Sequence, residues 1–212
     1  MQITLQNTGK RYNREWIFRH CNYNFISGKK YAITGPNGSG KSTLLQVIAG
    51  AIQHNEGTIE YTKDPTSSRP LRDKPPTSNI HQHLAIAAPY LELIEEMTAT
   101  EVLSFHTQFK KLIAPIPVIL QAVGLEKAAN KQLRYFSSGM KQRLKLAQAF
   151  FSDTPVLLLD EPTTNLDADG IGLYHDLIAD HTSGKIVLVS SNDPQEYNFC
   201  DEVISISDYK KA

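Results

Sequence analysis

The chain has 212 residues, 41% hydrophobic and 21% charged, with twenty-two Lys and Arg balanced by twenty-two Asp and Glu. That length supplies a real core and suits one domain with a subdomain, while zero net charge excludes the basic stripe that DNA- and RNA-binding chains need, so no nucleic-acid partner is expected. Its two cysteines, Cys21 and Cys200, match no metal-ligand spacing and read as free thiols, and no apolar run is long enough to cross a bilayer or to form a secretion signal.

In chain order, Ile3 and Leu5, then Cys21, Tyr23 and Phe25, alternate with polar neighbours as half-buried antiparallel strands do. Lys30-Tyr31-Ala32-Ile33 predicts a strand, and Leu44-Leu45-Gln46-Val47-Ile48-Ala49 a helix that Gly50 stops. Gly57-Thr58-Ile59-Glu60-Tyr61 predicts a short strand. Residues 62–78 hold four prolines and lose all periodicity, the mark of an exposed loop; its Lys63, Arg69, Arg72 and Lys74 are diluted by Asp64 and Asp73.

From residue 90 to 151 the pattern is helical. Residues 91–112 are helix-rich, Pro115 and Pro117 interrupt before a short helix through Ala122, and Met140, Leu144, Ala147 and Phe151 share one face of another helix. Val156-Leu157-Leu158-Leu159 and Ile186-Val187-Leu188-Val189-Ser190 read as buried central strands around a helix centred on Leu173, Leu177 and Ile178. This β-α-β order with continuous apolar strands predicts a parallel sheet covered on both faces. Val203-Ile204-Ser205-Ile206 makes a last strand.

The strongest chemical signal is Gly35-Pro36-Asn37-Gly38-Ser39-Gly40-Lys41-Ser42-Thr43, a complete G-x-x-x-x-G-K-[ST] between a strand and a helix. Glycines let consecutive N–H groups turn inward around an anion, and the following helix points its positive end there. Lys41 supplies a cation for the β- and γ-phosphates, and the Ser42 hydroxyl a ligand for Mg²⁺. A second signal is Val156-Leu157-Leu158-Leu159-Asp160-Glu161-Pro162, which puts two carboxylates at the carboxyl edge of the sheet. Asp160 is expected to hold Mg²⁺ through a water, together with Ser42. Glu161 is expected to orient the attacking water as general base.

Ahead of that strand stands Phe136-Ser137-Ser138-Gly139-Met140-Lys141-Gln142-Arg143, a helix start capped by Ser137 or Ser138, and behind it Thr163-Thr164-Asn165-Leu166-Asp167. With these segments the chain resembles the ATP-binding cassette (ABC) ATPases over nearly its full length. The family signature Leu-Ser-Gly-Gly-Gln keeps its serine and second glycine here as Ser137 and Gly139, and Asn165-Leu166-Asp167 resembles the D-loop. The resemblance implies an α/β fold: a P-loop NTPase core with a mainly parallel sheet, an N-terminal antiparallel β-subdomain and an inserted helical subdomain. On this division residues 1–88 and 152–212 form the core and 89–151 the helical subdomain.

The resemblance further implies a head-to-tail dimer with a second copy, each ATP held by one phosphate loop and closed over by Ser137 and Gly139 of the other, with Asp167 a further nucleotide-binding residue. Separately encoded transmembrane permease subunits would be the membrane partners, with the chain cytoplasmic and peripheral at the inner face of the cell membrane. Tyr12 stands where the family places an aromatic on the adenine ring; Trp16 is a rival, and core packing an alternative for both. Two positions depart from the family. Leu84-Ala85-Ile86-Ala87-Ala88-Pro89-Tyr90 offers Ala88 or Pro89 in place of a glutamine, and Ser190-Ser191-Asn192-Asp193 puts Asn192 where a histidine contacts the γ-phosphate. Asparagine donates a hydrogen bond but carries no charge, so a slow ATPase dependent on Glu161 is expected. The alternative is a soluble dimerisation switch with weak or no hydrolysis. A GTPase or kinase would leave Ser137-Ser138-Gly139 and Asp167 without a role, and Asn130-Lys131 is followed by Gln132-Leu133 rather than a guanine reader.

Overall fold

Two sheets, one antiparallel and one parallel, organise the described residues, 1–62 and 80–210, of this computed structural model. The basic, proline-rich stretch with Lys63, Arg69, Arg72 and Lys74 lies outside the described residues. Strands β1 (Gln2–Tyr12) and β2 (Glu15–Ile26) form an antiparallel pair, and a strand at Glu56–Thr62, β4, pairs with β1 from the other side. The alternation that marks β1 lasts only as far as Leu5. The register then shifts between Leu5 and Thr8, where Asn7 has φ 50°, and Thr8, Gly9 and Lys10 are buried in succession.

The parallel sheet has the order β5-β6-β7-β3-β8, with β3 at Lys30–Thr34, β5 at Leu84–Ala87, β6 at Val156–Asp160, β7 at Ile186–Ser190 and β8 at Glu202–Ser205. Every residue of β6 and β7 is buried, as strands covered on both faces must be. Alternate side chains feed two cores. Val156, Leu158, Ile186 and Leu188 pack with helix α1 (Lys41–Ile48) and the antiparallel sheet. Leu157, Leu159, Val187 and Val189 pack with α2 (Ala99–His106), α3 (Ile116–Ala122), α4 (Ser138–Phe150) and α5 (Ala168–His181). Each fully buried Leu or Val side chain contributes about 1.5–3 kcal/mol relative to exposure.

Sequence and structure differ in three places. Strand β5 carries no strong signal, because Leu-Ala-Ile-Ala has two residues of low strand propensity; its pairing with β6, Leu84 opposite Val156, supplies what the residues do not. The helix-rich stretch 91–112 holds one helix, beginning only at Ala99. Thr98 fixes that start with a capping box: Glu101 N–H donates to its hydroxyl at 3.2 Å, and its own N–H donates to the Glu101 carboxylate at 2.7 Å. Pro117 does not interrupt. It sits in the first turn of α3, where an N–H would have no helical partner in any case.

The face of α4 bearing Leu144 and Ala147, continued by its C-cap Phe151, is buried as its spacing implies, with Met140 packed at the edge of the same core. Cys21 and Cys200 are free thiols, both pushed up to about 12 by burial and therefore poor nucleophiles. Among the described residues no helix is long and apolar enough to cross a membrane.

Candidate active site

Beyond Thr34 the chain folds into a tight loop with three glycines at positive φ, 147° at Gly35, 74° at Gly38 and 106° at Gly40, the first and last lying outside the left-handed region that other residues reach. At Gly40 the constraint is also steric, since a Cβ there would lie 2.3 Å from Ile17 Cγ2. Helix α1 starts immediately behind, with no side-chain cap, so its first N–H groups are left for an anion. The Lys41 ammonium donates to the carbonyls of Gly35 at 2.8 Å and Pro36 at 3.3 Å, lying along the loop it is expected to serve. Asn37, Gly38, Ser39, Gly40, Lys41, Ser42 and Thr43 line a cavity of about 220 Å³, together with Ile17 and Glu161.

The carboxyl ends of β6 and β7 close this cavity's neighbourhood. Asp160 is the last residue of β6 and 2% exposed. Glu161 then adopts a left-handed backbone, φ 44°, with its N–H donating to Ser190 O at 2.9 Å, and this bend brings its side chain to the phosphate loop. Asn192, just beyond β7, donates its amide to Asn37 Oδ1 at 3.2 Å. Among the described residues three buried side-chain atoms have no hydrogen-bond partner: Ser39 Oγ, Asp160 Oδ1 and Ser190 Oγ. They belong to the loop after β3 and to the ends of β6 and β7, and β7 is hydrogen-bonded to both other strands. Buried polar groups are rarely left so, and their grouping here marks the sheet edge as built for polar ligands.

Other expected site residues lie outside that cavity. Ser137 is the N-cap of α4, its hydroxyl accepting from Met140 N–H at 3.2 Å, and Gly139 packs so closely on the loop after β6 that a Cβ would come 2.9 Å from Asn165 O. Asp167 caps α5 through Gly170 N–H at 2.9 Å and takes Arg143 at 3.1 Å; these two donors, the amide first, hold its carboxyl below the usual range. Of the two aromatic candidates, Trp16 carries the guanidinium groups of Arg19 at 4.5 Å and Arg11 at 5.4 Å from its ring, whereas Tyr12 is exposed with Lys10 4.9 Å away. Ala88 and Pro89 present backbone carbonyls to the Lys145 ammonium, at 3.4 and 3.0 Å.

Four residues of the site region escape sequence reasoning. Ile17 is an ordinary strand residue until the fold places it over Gly40. Gln142 is 3% exposed and donates to Pro162 O at 2.7 Å. Its signal was its spacing: it falls at i, i+4 and i+7 with the buried Leu146 and Ala149, a polar residue on an apolar stripe. Thr163 and Glu196 meet across the sheet edge and carry no local signal at all.

Comparisons with known proteins give the family and the fold. The sequence profile of the family described as ABC transporter matches residues 18–164. The chain is 31% identical, over 92% of its length and 84% of the relative's, to the zinc transport system ATP-binding protein AdcC of Streptococcus pneumoniae. It is equally 31% identical, over 90% of its length and 80% of the relative's, to the lantibiotic transport ATP-binding protein SrtF of Streptococcus pyogenes. The dimeric structure of the bacterial ABC transporter cassette MJ0796 superposes with a TM-score of 0.77 at 24% identity, covering 96% of this chain and 93% of that one. A parallel sheet with a glycine-cradled lysine, a strand-end Asp-Glu pair and a family match over most of the chain leave one assignment: this protein belongs to the ABC transporter family, as an ATP-binding, ATP-hydrolysing subunit.

Proposed function

We propose that ATP lies with its phosphates in the loop of residues 35–43 and is hydrolysed there with Glu161 as general base. The observation that supports this reading is the convergence of Lys41, Glu161 and the three partnerless atoms Ser39 Oγ, Asp160 Oδ1 and Ser190 Oγ at one sheet edge. Lys41 would exchange its two carbonyl partners for β- and γ-phosphate oxygens. Asn192, already touching Asn37, would donate to the γ-phosphate without adding charge. Ser42 and Asp160 fit a hard divalent cation, the latter offering a buried carboxylate oxygen with no other partner; Mg²⁺ held there would neutralise phosphate charge. Tyr12 is the freer of the two rings for adenine stacking.

The same reading extends to assembly. Two copies would sandwich ATP head to tail, the Ser137–Gly139 tip of α4 and the segment ending at Asp167 facing the partner's nucleotide. Residues 89–151 would act as the helical subdomain, with α4 sharing its core with the parallel sheet. Transmembrane subunits encoded apart would receive the work and hold the chain at the cytoplasmic face of the membrane. The relatives matched at equal identity are named for unlike cargoes, zinc and a lantibiotic, so the likeness assigns this chain no cargo, and cargo choice would rest with those subunits.

Phosphate release from Mg-ATP tests the proposal. Turnover rising more steeply than protein concentration, and lowered about 10²-fold or more by Glu161→Gln, is the expected result. Tight ATP-dependent dimers without phosphate release would establish the switch instead, and nucleotide-loaded monomers at all concentrations would overturn the sandwich.

A further inference from the structure

Glu161 depends on a costly conformation, because a left-handed backbone crowds any residue with a Cβ, and such a turn persists only where its surroundings over-determine it. The next residues show how it is held. Pro162 O accepts from Gln142 Nε2 at 2.7 Å, tying the turn to α4. Thr163 gives both its N–H, at 2.8 Å, and its hydroxyl, at 2.5 Å, to a single oxygen, Glu196 Oε1. Thr164 N–H closes back on Glu161 O at 3.2 Å.

Glu196 is itself fixed. It is 4% exposed, its N–H donates to Asp193 O at 3.0 Å, and its carbonyl accepts from the buried Tyr174 hydroxyl at 2.8 Å. The turn it belongs to, Pro194–Glu196, is capped by Asp193, the neighbour of Asn192, whose amide reaches the phosphate loop. One carboxylate oxygen therefore references the segment behind Glu161 to the segment that carries Asn192.

We propose that Glu196 is a positioning residue for hydrolysis: by gripping Thr163 it sets Glu161 against the phosphate loop and in register with Asn192, with Gln142 holding the same turn from α4. This rests on Glu161 being the base. Its action is through geometry, so what Glu196 must supply is an acceptor oxygen, not a charge. Small misplacements of a catalytic group cost rate steeply while leaving substrate binding intact.

The test compares Glu196→Ala with Glu196→Gln in the full chain, measuring phosphate release per site that binds a fluorescent ATP analogue, so that unfolded protein does not count. Glu196→Ala is expected to lower kcat about 10- to 100-fold with KM for ATP within about twofold. Glu196→Gln, whose amide oxygen still accepts both Thr163 donors, is expected to stay within about threefold of the parent. Should Glu196→Ala fail to fold, Thr163→Val removes one of the two donors and should slow kcat several-fold, with Thr163→Ser restoring it. An unchanged kcat per binding site in Glu196→Ala, a change in KM alone, or a Glu196→Gln as slow as Glu196→Ala would each overturn the proposal. The underlying assignment fails separately: a Glu161→Gln that hydrolyses normally sinks the base itself, whereas a dead Glu161→Gln beside a normal Glu196→Ala sinks only the positioning role.

Discussion

The phosphate loop and the turn that begins at Glu161 lie side by side at one sheet edge and are held by opposite means. The loop is shaped by its own backbone: three glycines at positive φ within six residues, and a lysine bonded to carbonyls five and six positions back. The turn is shaped by side chains from elsewhere, Gln142 reaching Pro162 across 20 positions and Glu196 reaching Thr163 across 33. A backbone-built site tolerates few added atoms and leans little on distant side chains, here the Asn192 amide on Asn37 and Ile17 over Gly40. A side-chain-built site tolerates conservative exchange and is exposed to changes anywhere along its supports.

The largest effect should come from the turn's one chemical group. Glu161→Gln keeps shape and removes the base, so kcat is expected to fall about 10²-fold or more, within the range that general-base catalysis supplies. Equilibrium ATP binding should persist, because the cradle is untouched. Phosphate release and nucleotide binding measured on the same preparation check both halves, and parallel loss of the two would break the separation drawn here.

Next in size is a single carbon added to the loop. In Gly40→Ala the new Cβ meets Ile17 Cγ2 at 2.3 Å in a backbone with φ 106°, and overpacking of this kind costs about 1–3 kcal/mol. Nucleotide affinity should fall with it, since the loop must open to relieve the clash. Gly172→Ala is the control of opposite sign. Gly172 sits exposed inside α5, a Cβ there meets nothing within 4 Å, and alanine should stabilise by about 0.5–1 kcal/mol. Thermal denaturation of the two variants should move in opposite directions; a stabilised Gly40→Ala would refute the steric argument.

The same contrast explains what was legible in the sequence. The phosphate loop, the apolar strand before Asp160 and the cap at Ser137 are contiguous signals, and each folds as its local chemistry dictates. Strand β5 was invisible because its stability comes from pairing with β6 rather than from Leu-Ala-Ile-Ala. Gln142 left a trace as a polar residue on an apolar helical stripe, but nothing in the chain names Pro162 as its partner. Glu196 left none: two residues after Pro194, nothing local marks it before the fold buries it against Thr163.

A pH-dependent effect concerns another long-range polar tie, between α2 and the chain just beyond α4. His106 Nε2 lies 2.8 Å from Ser152 Oγ, and that hydroxyl already donates its proton to Gln148 O at 2.6 Å. The imidazole must therefore be the donor at Nε2, which it is as a neutral ring. Burial, with the Lys110 charge adding, pushes its pKa from 6.5 down to about 4. Between those values the unfolded chain takes up a proton that the folded one refuses, so stability is retained above 6.5 and is lost progressively as pH falls toward about 4. His106→Gln keeps a donor toward Ser152 and cannot titrate. Carboxylates elsewhere affect both proteins alike and cancel in the difference. The parent's lead in Tm over His106→Gln should therefore shrink steadily across this window, and a difference that stays constant with pH would mean that His106 is not held neutral by the fold.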